Sequence, residues 1–371
     1  MKVIIVHPFI NQRGGAEKVC VRMIDALHKA GHDVTLYTIE KTNWTPIEAD
    51  WGIEHRPHEF WYLKDQRYLR LPLIRWPIFL ILYLTLLIKA AKMRDHVSLN
   101  NFGEIFPLFT DVCYIHSLPL SESINENPYD IPLWGTIRPI YMAFLNILSD
   151  HVSGTILTNS KYNEERISKH SHSRIMILYP PVDVGEAPHA KTSSILNASR
   201  LSKSKKLETI PKIAAHVTTP CEFNLCITTR DANRANITRL KAPNIIITQN
   251  PSKQHLRQLY QSSKIYLSTQ PTEAFGLSIV EAMGAGCIPL VPRDGGPWRD
   301  ILEEKQGEVG YSFTSLKEAA QRIDEILGDE AHAERLRKAA INRAKHFQSD
   351  KFQTSLPLII EEIYTRKSRD V

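Results

Sequence analysis

Pro271-Thr272-Glu273-Ala274-Phe275-Gly276-Leu277-Ser278-Ile279-Val280-Glu281-Ala282-Met283-Gly284-Ala285-Gly286 is the stretch on which the reading of this chain turns. A polar loop bearing one glycine runs into an apolar segment, Ser278 to Gly284, that reads as a helix. Two glutamates lie eight positions apart, Glu273 in the loop and Glu281 two turns on, at the ligand-facing edge of the helix. The amides of Phe275, Gly276, Leu277 and Ser278 then form an anion site, because unpaired N–H groups and the helix dipole both favour negative charge there. Gly276 lets a phosphate come close to the backbone. Ionised carboxylates only accept hydrogen bonds, which suits sugar hydroxyls at one glutamate and a ribose diol at the other. A plain helix with an acidic residue near its start accounts for either glutamate taken alone.

Outward from this stretch the chain alternates strand and helix. Downstream, Ile288 to Val291 is a strand, and from Ser315 the sequence reads as helices to its end. Upstream lie strands at Ile195–Ala198, Phe223–Ile227, Asn244–Ile247 and Ile265–Leu267, with helices over Lys206–His216 and Lys253–Gln261. The first half repeats the theme. Val3 to Val6, the loop Pro8 to Gly15, a helix from Ala16 to Ala30 and a strand over Val34–Ile39 make one β-α-β unit, hence parallel strands and a right-handed crossover. Further strands fall at Val112–Ile115, ending at His116, and at Gly154–Leu157, with a helix over Ile140–Leu148. Pro180-Pro181 suits neither a helix nor a central strand. The expected domains are therefore 1–182, 183–350 and a closing helix, 351–371, packed back on the first domain. The fold class is α/β, two Rossmann-like domains whose ligand lies beyond the carboxyl ends of the strands, in a cleft between the lobes.

At 371 residues the chain has room for two domains, and 43% hydrophobic with 23% charged residues is the composition of a soluble globular protein. A net charge of +6 is too mild for a nucleic-acid-binding tail and suits an anionic substrate or an acidic lipid surface. Cys20, Cys113, Cys221, Cys226 and Cys287 form no CxxC pair and no zinc spacing, so they read as buried thiols in a reducing compartment. The N-terminus lacks the basic, apolar and cleavage regions of a signal peptide, which places the chain in the cytoplasm or at the cytoplasmic face of a membrane. The run Trp76 to Ile88 is 13 residues long, against about 20 for a bilayer span. It reads as a helix of the first domain, buried or also dipping into a membrane surface beside Arg67, Arg70 and Arg75.

With its continuation Gly286-Cys287-Ile288-Pro289-Leu290-Val291-Pro292-Arg293-Asp294-Gly295-Gly296-Pro297, the opening stretch resembles the GT-B retaining glycosyltransferases of family GT4. Within that family it is most similar to the α-1,2-mannosyltransferases of dolichol-linked oligosaccharide assembly. The resemblance covers the chain and is strongest in the second half. It implies that Arg200 and Lys205 neutralise the donor diphosphate, with Lys206, where the family often has glycine, as the alternative to Lys205. It further implies that Gly14 and Gly15 lie against the diphosphate and acceptor, and that His116, in Tyr114-Ile115-His116-Ser117, meets the transferred sugar. His7 is a further candidate. Two cations beside a leaving diphosphate stabilise the charge that builds up there and remove the need for a metal, so no metal ligands and no cofactor are expected. The partners implied are a GDP- or UDP-linked sugar and a glycan or lipid-linked acceptor, with a membrane surface possible and no nucleic acid. The resemblance also implies transfer with retention by front-face attack, and no enzyme nucleophile of the kind retaining glycosidases place in a close carboxylate pair stands out.

Other classes fit less well. Glu40, after the second strand, stands where a dehydrogenase holds a ribose, but the loop Asn11 to Lys18 lacks GxGxxG. A non-catalytic subunit of the same fold is disfavoured because His116, Arg200, Glu273 and Glu281 all sit on one chain. A transferase using a soluble acceptor remains within the class.

Overall fold

The computed structural model describes residues 1–12, 14–64, 72–93, 95–117, 134–148, 151–169, 171–185, 187, 191–229 and 237–369. It divides into two units, Met1–Pro181 with Ser349–Val371, and Val182–Gln348. The strands of the first unit are β1 (Lys2–Val6), β2 (Asp33–Glu40), β3 (His58–Leu63), β4 (His96–Asn100), β5 (Val112–Ile115), β6 (Thr155–Thr158) and β7 (Arg174–Ile177). They form one parallel sheet in the order β3-β2-β1-β4-β5-β6-β7. Its helices are α1 (Gly15–Lys29), α2 (Trp44–Trp51), α3 (Pro72–Ala91), α4 (Trp134–Ile147) and α5 (Lys161–Ile167). Side chains alternate across a strand, and β1 shows the result. Val3 and Ile5 join the core that contains α1, whereas Ile4 and Val6 join the core on the other face, under α3 and α4. Both faces are covered, as a parallel sheet requires.

The apolar helix is α3. Phe79, Tyr83, Leu86, Leu87 and Ala90 repeat at helical spacing and are buried against Ile4, Val6, Tyr37 and Ile39. Its other face is open, with Ile81 at 63% exposure. No helix among the described residues is long and apolar enough to cross a membrane. Arg67, Arg70 and Leu71, singled out in the sequence, lie outside the described residues, as does the side chain of Arg75.

In the second unit β8 (Thr192–Arg200), β9 (Glu222–Thr228), β10 (Ile245–Gln249), β11 (Ser263–Leu267), β12 (Ile288–Pro292) and β13 (Tyr311–Phe313) form a parallel sheet. The order is β10-β9-β8-β11-β12-β13. Its helices are α6 (Ile210–Ala214), α7 (Lys253–Ser262), α8 (Leu277–Gly284), α9 (Leu316–Gly328) and α10 (Glu330–Ala344). The helix expected over Lys206–His216 is shorter than its pattern. Lys206 adopts a left-handed conformation (φ 48°) between two single 3₁₀ turns, and regular helix begins only at Ile210. A positive φ interrupts a helix at any residue with a Cβ, and it explains why glycine suits this position.

The last helix, α11 (Ser349–Arg369), belongs to the first unit. Phe352, Leu356, Ile360 and Ile363, one stripe at helical spacing, join the core shared with α1. Lys367 Nζ also donates to Asp111 Oδ2 and to the carbonyl of His96, both at 2.9 Å. Leu356 is fully buried; Leu356→Ala should cost about 2–5 kcal/mol, read as a lower thermal midpoint. A shift indistinguishable from that of a surface substitution such as Leu358→Ala would show that α11 is not part of this core.

Candidate active site

Both strand orders reverse direction once, between β1 and β4 and between β8 and β11. Where neighbouring strands send their connections to opposite faces, a crevice opens at their carboxyl ends. In the second unit a small pocket lies at that point, lined by Asn197, Ala198 and Ser199 from β8 and by Ser268, Thr269 and Gln270 after β11. Lys205, Tyr266, Glu273, Ser278 and Ile279 complete the lining. The floor is held by hydrogen bonds. Asn197 Nδ2 donates to Leu267 O at 2.8 Å, and the Tyr266 hydroxyl sits 2.9 Å from Ala198 O and 2.8 Å from Ser278 Oγ. Burial raises the Tyr266 pKa, so the phenol stays protonated.

Lys205 Nζ reaches Glu273 Oε2 at 2.5 Å, both side chains about one-fifth exposed. Thr269 Oγ1 donates to the Lys205 carbonyl at 2.6 Å and so pins the lysine turn to the pocket wall. Lys206 is exposed and does not line the pocket. Arg200 ends β8 with its side chain exposed. Glu281 is half-buried at the fifth residue of α8, which begins at Leu277, so it stands little more than one turn in rather than two.

Gly276 caps α8 in the left-handed region (φ 94°), where a Cβ would lie 2.6 Å from Ile279 Cδ1. Its carbonyl receives the first amides of the helix, from Ile279 and Val280. The amides of Gly276, Leu277 and Ser278 precede that first bond and are left to other partners. The Phe275 side chain faces away from this chemistry. It is buried edge-on against Phe347, with ring centroids 5.2 Å apart.

What holds the Glu273 loop in place was legible in the sequence only as a family signature. The Gly296 amide donates to Glu273 O at 2.8 Å. A Cβ on Gly296 would lie 1.9 Å from Ala274 O, and one on Gly295 would lie 2.6 Å from Glu273 O. Gly295 also has φ 79°. The two glycines are thus required by the close approach of two backbones.

The first unit assembles its polar groups at the β1/β4 reversal. His7 follows β1, Asn101 follows β4 and His116 follows β5, so three strand ends converge. His116 Nε2 lies 3.1 Å from both the backbone and side-chain oxygens of Asn101. Burial, then the nearby His7, lowers the His116 pKa to about 3, so the ring is neutral near pH 7. The Gly14 amide donates to Glu17 Oε2 at 2.8 Å, and that N–H is therefore already engaged. Burial alone would raise the Glu17 pKa, but its interaction with His7 and its backbone hydrogen bonds outweigh it and the net shift is downward. Glu17 and Asn101 were not assigned roles from the sequence. Glu17 was visible only as part of Gly14-Gly15-Ala16-Glu17, and Asn101 closes the stretch His96 to Asn100, whose polar–apolar alternation is that of a strand but was not read as one. Among the described residues no group of three or more His, Cys, Asp or Glu is arranged to hold a metal ion.

Two parallel Rossmann-like sheets, each with its polar groups at the switch point, define the GT-B glycosyltransferase fold. Solved structures of that fold superpose over nearly the whole chain. Anabaena HepE in complex with UDP and glucose matches with a TM-score of 0.71 at 14% identity, covering 97% of this chain and 99% of that one. The pneumococcal O-GlcNAc transferase GtfA in complex with UDP and GlcNAc matches with a TM-score of 0.70 at 14% identity, covering 98% and 99%. The family described as Glycosyl transferases group 1 matches residues 186–343, so the second unit is a group 1 glycosyltransferase domain. The Dictyostelium discoideum GDP-Man:Man(3)GlcNAc(2)-PP-Dol alpha-1,2-mannosyltransferase is 23% identical over 335 residues, 76% of this chain and 66% of its own length. The Xanthomonas campestris GDP-mannose:cellobiosyl-diphosphopolyprenol alpha-mannosyltransferase is 24% identical over 64% of this chain and 66% of its own length. The chain thus spans about two thirds of the length of these curated relatives.

Gly296→Ala should displace the Glu273 loop, lower the thermal midpoint and abolish stabilisation by nucleoside diphosphates. Lys317→Ala, at an exposed position of α9, should do none of these. Wild-type nucleotide response in Gly296→Ala would show that the close approach does not shape the pocket.

Proposed function

We propose that this chain is a retaining glycosyltransferase that moves a hexose from a nucleoside diphosphate to a glycan acceptor without a bound metal. The donor is best read as GDP-mannose and the acceptor as a lipid-linked glycan at the cytoplasmic face of a membrane. The observation that carries the reading is the Lys205–Glu273 pair at the β8/β11 switch point, beside the N-terminus of α8.

An incoming diphosphate carries more charge than one carboxylate and takes over Lys205, which releases Glu273 to accept hydrogen bonds from sugar hydroxyls. Arg200, Lys205 and the α8 amides at Gly276, Leu277 and Ser278 then face the charge that grows on the departing diphosphate, the role for which preorganised donors are most effective. Glu281 takes the ribose diol, and Lys205 rather than Lys206 serves as the diphosphate lysine because Lys205 lines the pocket. In the first unit Gly14, Gly15 and His116 serve the diphosphate, the acceptor and the transferred sugar. Positioning and leaving-group stabilisation do the chemical work.

The named donors of the two sequence relatives favour GDP-mannose, and both names specify polyprenyl-type acceptors. A membrane surface is favoured by α3 and α4, where Ile81, Ile140 and Ile147 are 63%, 70% and 78% exposed. Residues 64–92 carry six basic side chains (Lys64, Arg67, Arg70, Arg75, Lys89, Lys92) and one acidic, Asp65. Exposed apolar residues on α3 and α4, together with a stretch of sequence rich in basic residues, suit an anionic bilayer.

GDP at 100 times its dissociation constant should stabilise the protein by about 2.7 kcal/mol without added metal. Glu273→Gln should keep or strengthen that response while lowering mannose transfer to a synthetic polyprenyl-diphosphate glycan by about 100-fold or more. No response to GDP but a response to UDP would reassign the donor, and none to either would favour a non-catalytic subunit. On membranes, the protein should co-sediment with vesicles containing phosphatidylserine and be released by the double substitution Ile140→Asp, Ile147→Asp. Equal sedimentation of wild type and variant would remove this face from the membrane and favour a soluble acceptor.

A further inference from the structure

At the carboxyl end of the first sheet, five groups form one line of polar contacts that reaches further than His116 itself. Gly14 N–H is held by Glu17 Oε2 at 2.8 Å, and Glu17 Oε1 faces His7 Nε2 at 3.9 Å. His7 Nδ1 lies 3.1 Å from Asn101 Nδ2, which also donates to Ala16 O at 3.2 Å. Both oxygens of Asn101 then meet His116 Nε2 at 3.1 Å. His7 and Asn101 are fully buried and Glu17 nearly so.

The geometry leaves little freedom in where the protons sit. The Ala16 carbonyl fixes the orientation of the Asn101 amide, because the flipped amide would set oxygen against oxygen. Two oxygens that only accept then surround His116 Nε2, so that nitrogen carries the hydrogen. A neutral imidazole has one N–H and one lone pair, and the lone pair is left on Nδ1. The Asn159 amide, which donates to the His116 carbonyl at 2.6 Å, and the Tyr114 ring, 4.7 Å away by centroids, hold the residue from the sides.

We propose that Asn101 is a positioning residue. By taking the Nε2 proton of His116 on both its oxygens, it presents Nδ1 as a hydrogen-bond acceptor for a hydroxyl of the sugar substrate. The Glu17–His7 pair ties the Gly14 loop to the same asparagine, so the loop and the imidazole are set by one buried group. The inference rests on the reading that His116 meets the substrate. A donor at this point would instead need a hydroxyl oxygen with a free lone pair, and the bound tautomer excludes it. The titratable groups bearing on His116 among the described residues are His7 and Glu17, and burial keeps the ring unprotonated near neutral pH.

Nitrogen-15 NMR of histidine-labelled wild-type protein should show His116 as the Nε2–H tautomer and unprotonated down to pH 5. An Nδ1–H tautomer, or protonation above pH 5, overturns the proposal without recourse to any variant. In kinetics with GDP-mannose and the polyprenyl-diphosphate glycan, Asn101→Asp places a carboxylate on Nε2 and favours the imidazolium. It should therefore add an acid limb to kcat/KM, about tenfold lower at pH 6 than at pH 8.5 relative to wild type. Asn101→Ser, which bears no charge, should lower kcat/KM without that limb. A loss in Asn101→Asp that is equal at every pH means a merely structural asparagine and overturns the proposal. If the tautomer is as stated but His116→Ala transfers mannose at the wild-type rate, the contact of His116 with substrate is what fails.

Discussion

The second unit depends on one backbone contact, the Gly296 amide on the Glu273 carbonyl at 2.8 Å. It brings the loop after β12 against the loop after β11, so closely that neither glycine there can carry a side chain. Everything on the Glu273 side follows from it: the placement of the carboxylate against Lys205, the entry of the chain into α8 and the left-handed cap at Gly276. A sheet supplies strand ends in register, but loops at those ends stay put only if their backbone groups are satisfied. Here the loop after β12 satisfies the Glu273 carbonyl of the loop after β11.

The first unit solves the same problem with side chains. Its strand ends converge on Asn101, whose amide and carbonyls serve two histidines and the start of α1. Burying so many polar groups is tolerable only because each finds a partner. The result is a rigid polar site in place of a flexible loop. The chain reaches this unit twice, first through Met1–Pro181 and again through α11, which completes the core under α1.

Much of this was legible in the sequence because it is periodic. The runs at Val3–Val6, Phe223–Ile227 and Ile288–Val291 alternate or are apolar throughout, as strands covered on both faces must be. Two strands of the first sheet were not picked out, although the alternation of Val97 and Leu99 with Ser98 and Asn100 marks one of them. β4 carries Ser98 and Asn100 buried, paired respectively to Asp111 and to the Phe106 carbonyl, so polarity there reports hydrogen bonding rather than exposure. β3 is a half-exposed edge strand. The Lys206 region followed helix periodicity but is broken by one left-handed residue, a conformation set by the turn it must make against Thr269.

By itself the sequence determined the α/β alternation, the family signature from Glu273 to Pro297 and the residue types available for a diphosphate and a sugar. Those properties are local, written in spacing and composition. Only the tertiary structure decided that Lys205 and not Lys206 reaches Glu273, that the Gly14 amide is engaged by Glu17, and that both oxygens of Asn101 meet His116 Nε2. The first and last of these depend on residues distant in the chain, 68 positions apart for Lys205 and Glu273 and 15 for Asn101 and His116, brought together by strand order. Strand order is a property of the packed sheets, and no short stretch of sequence contains it.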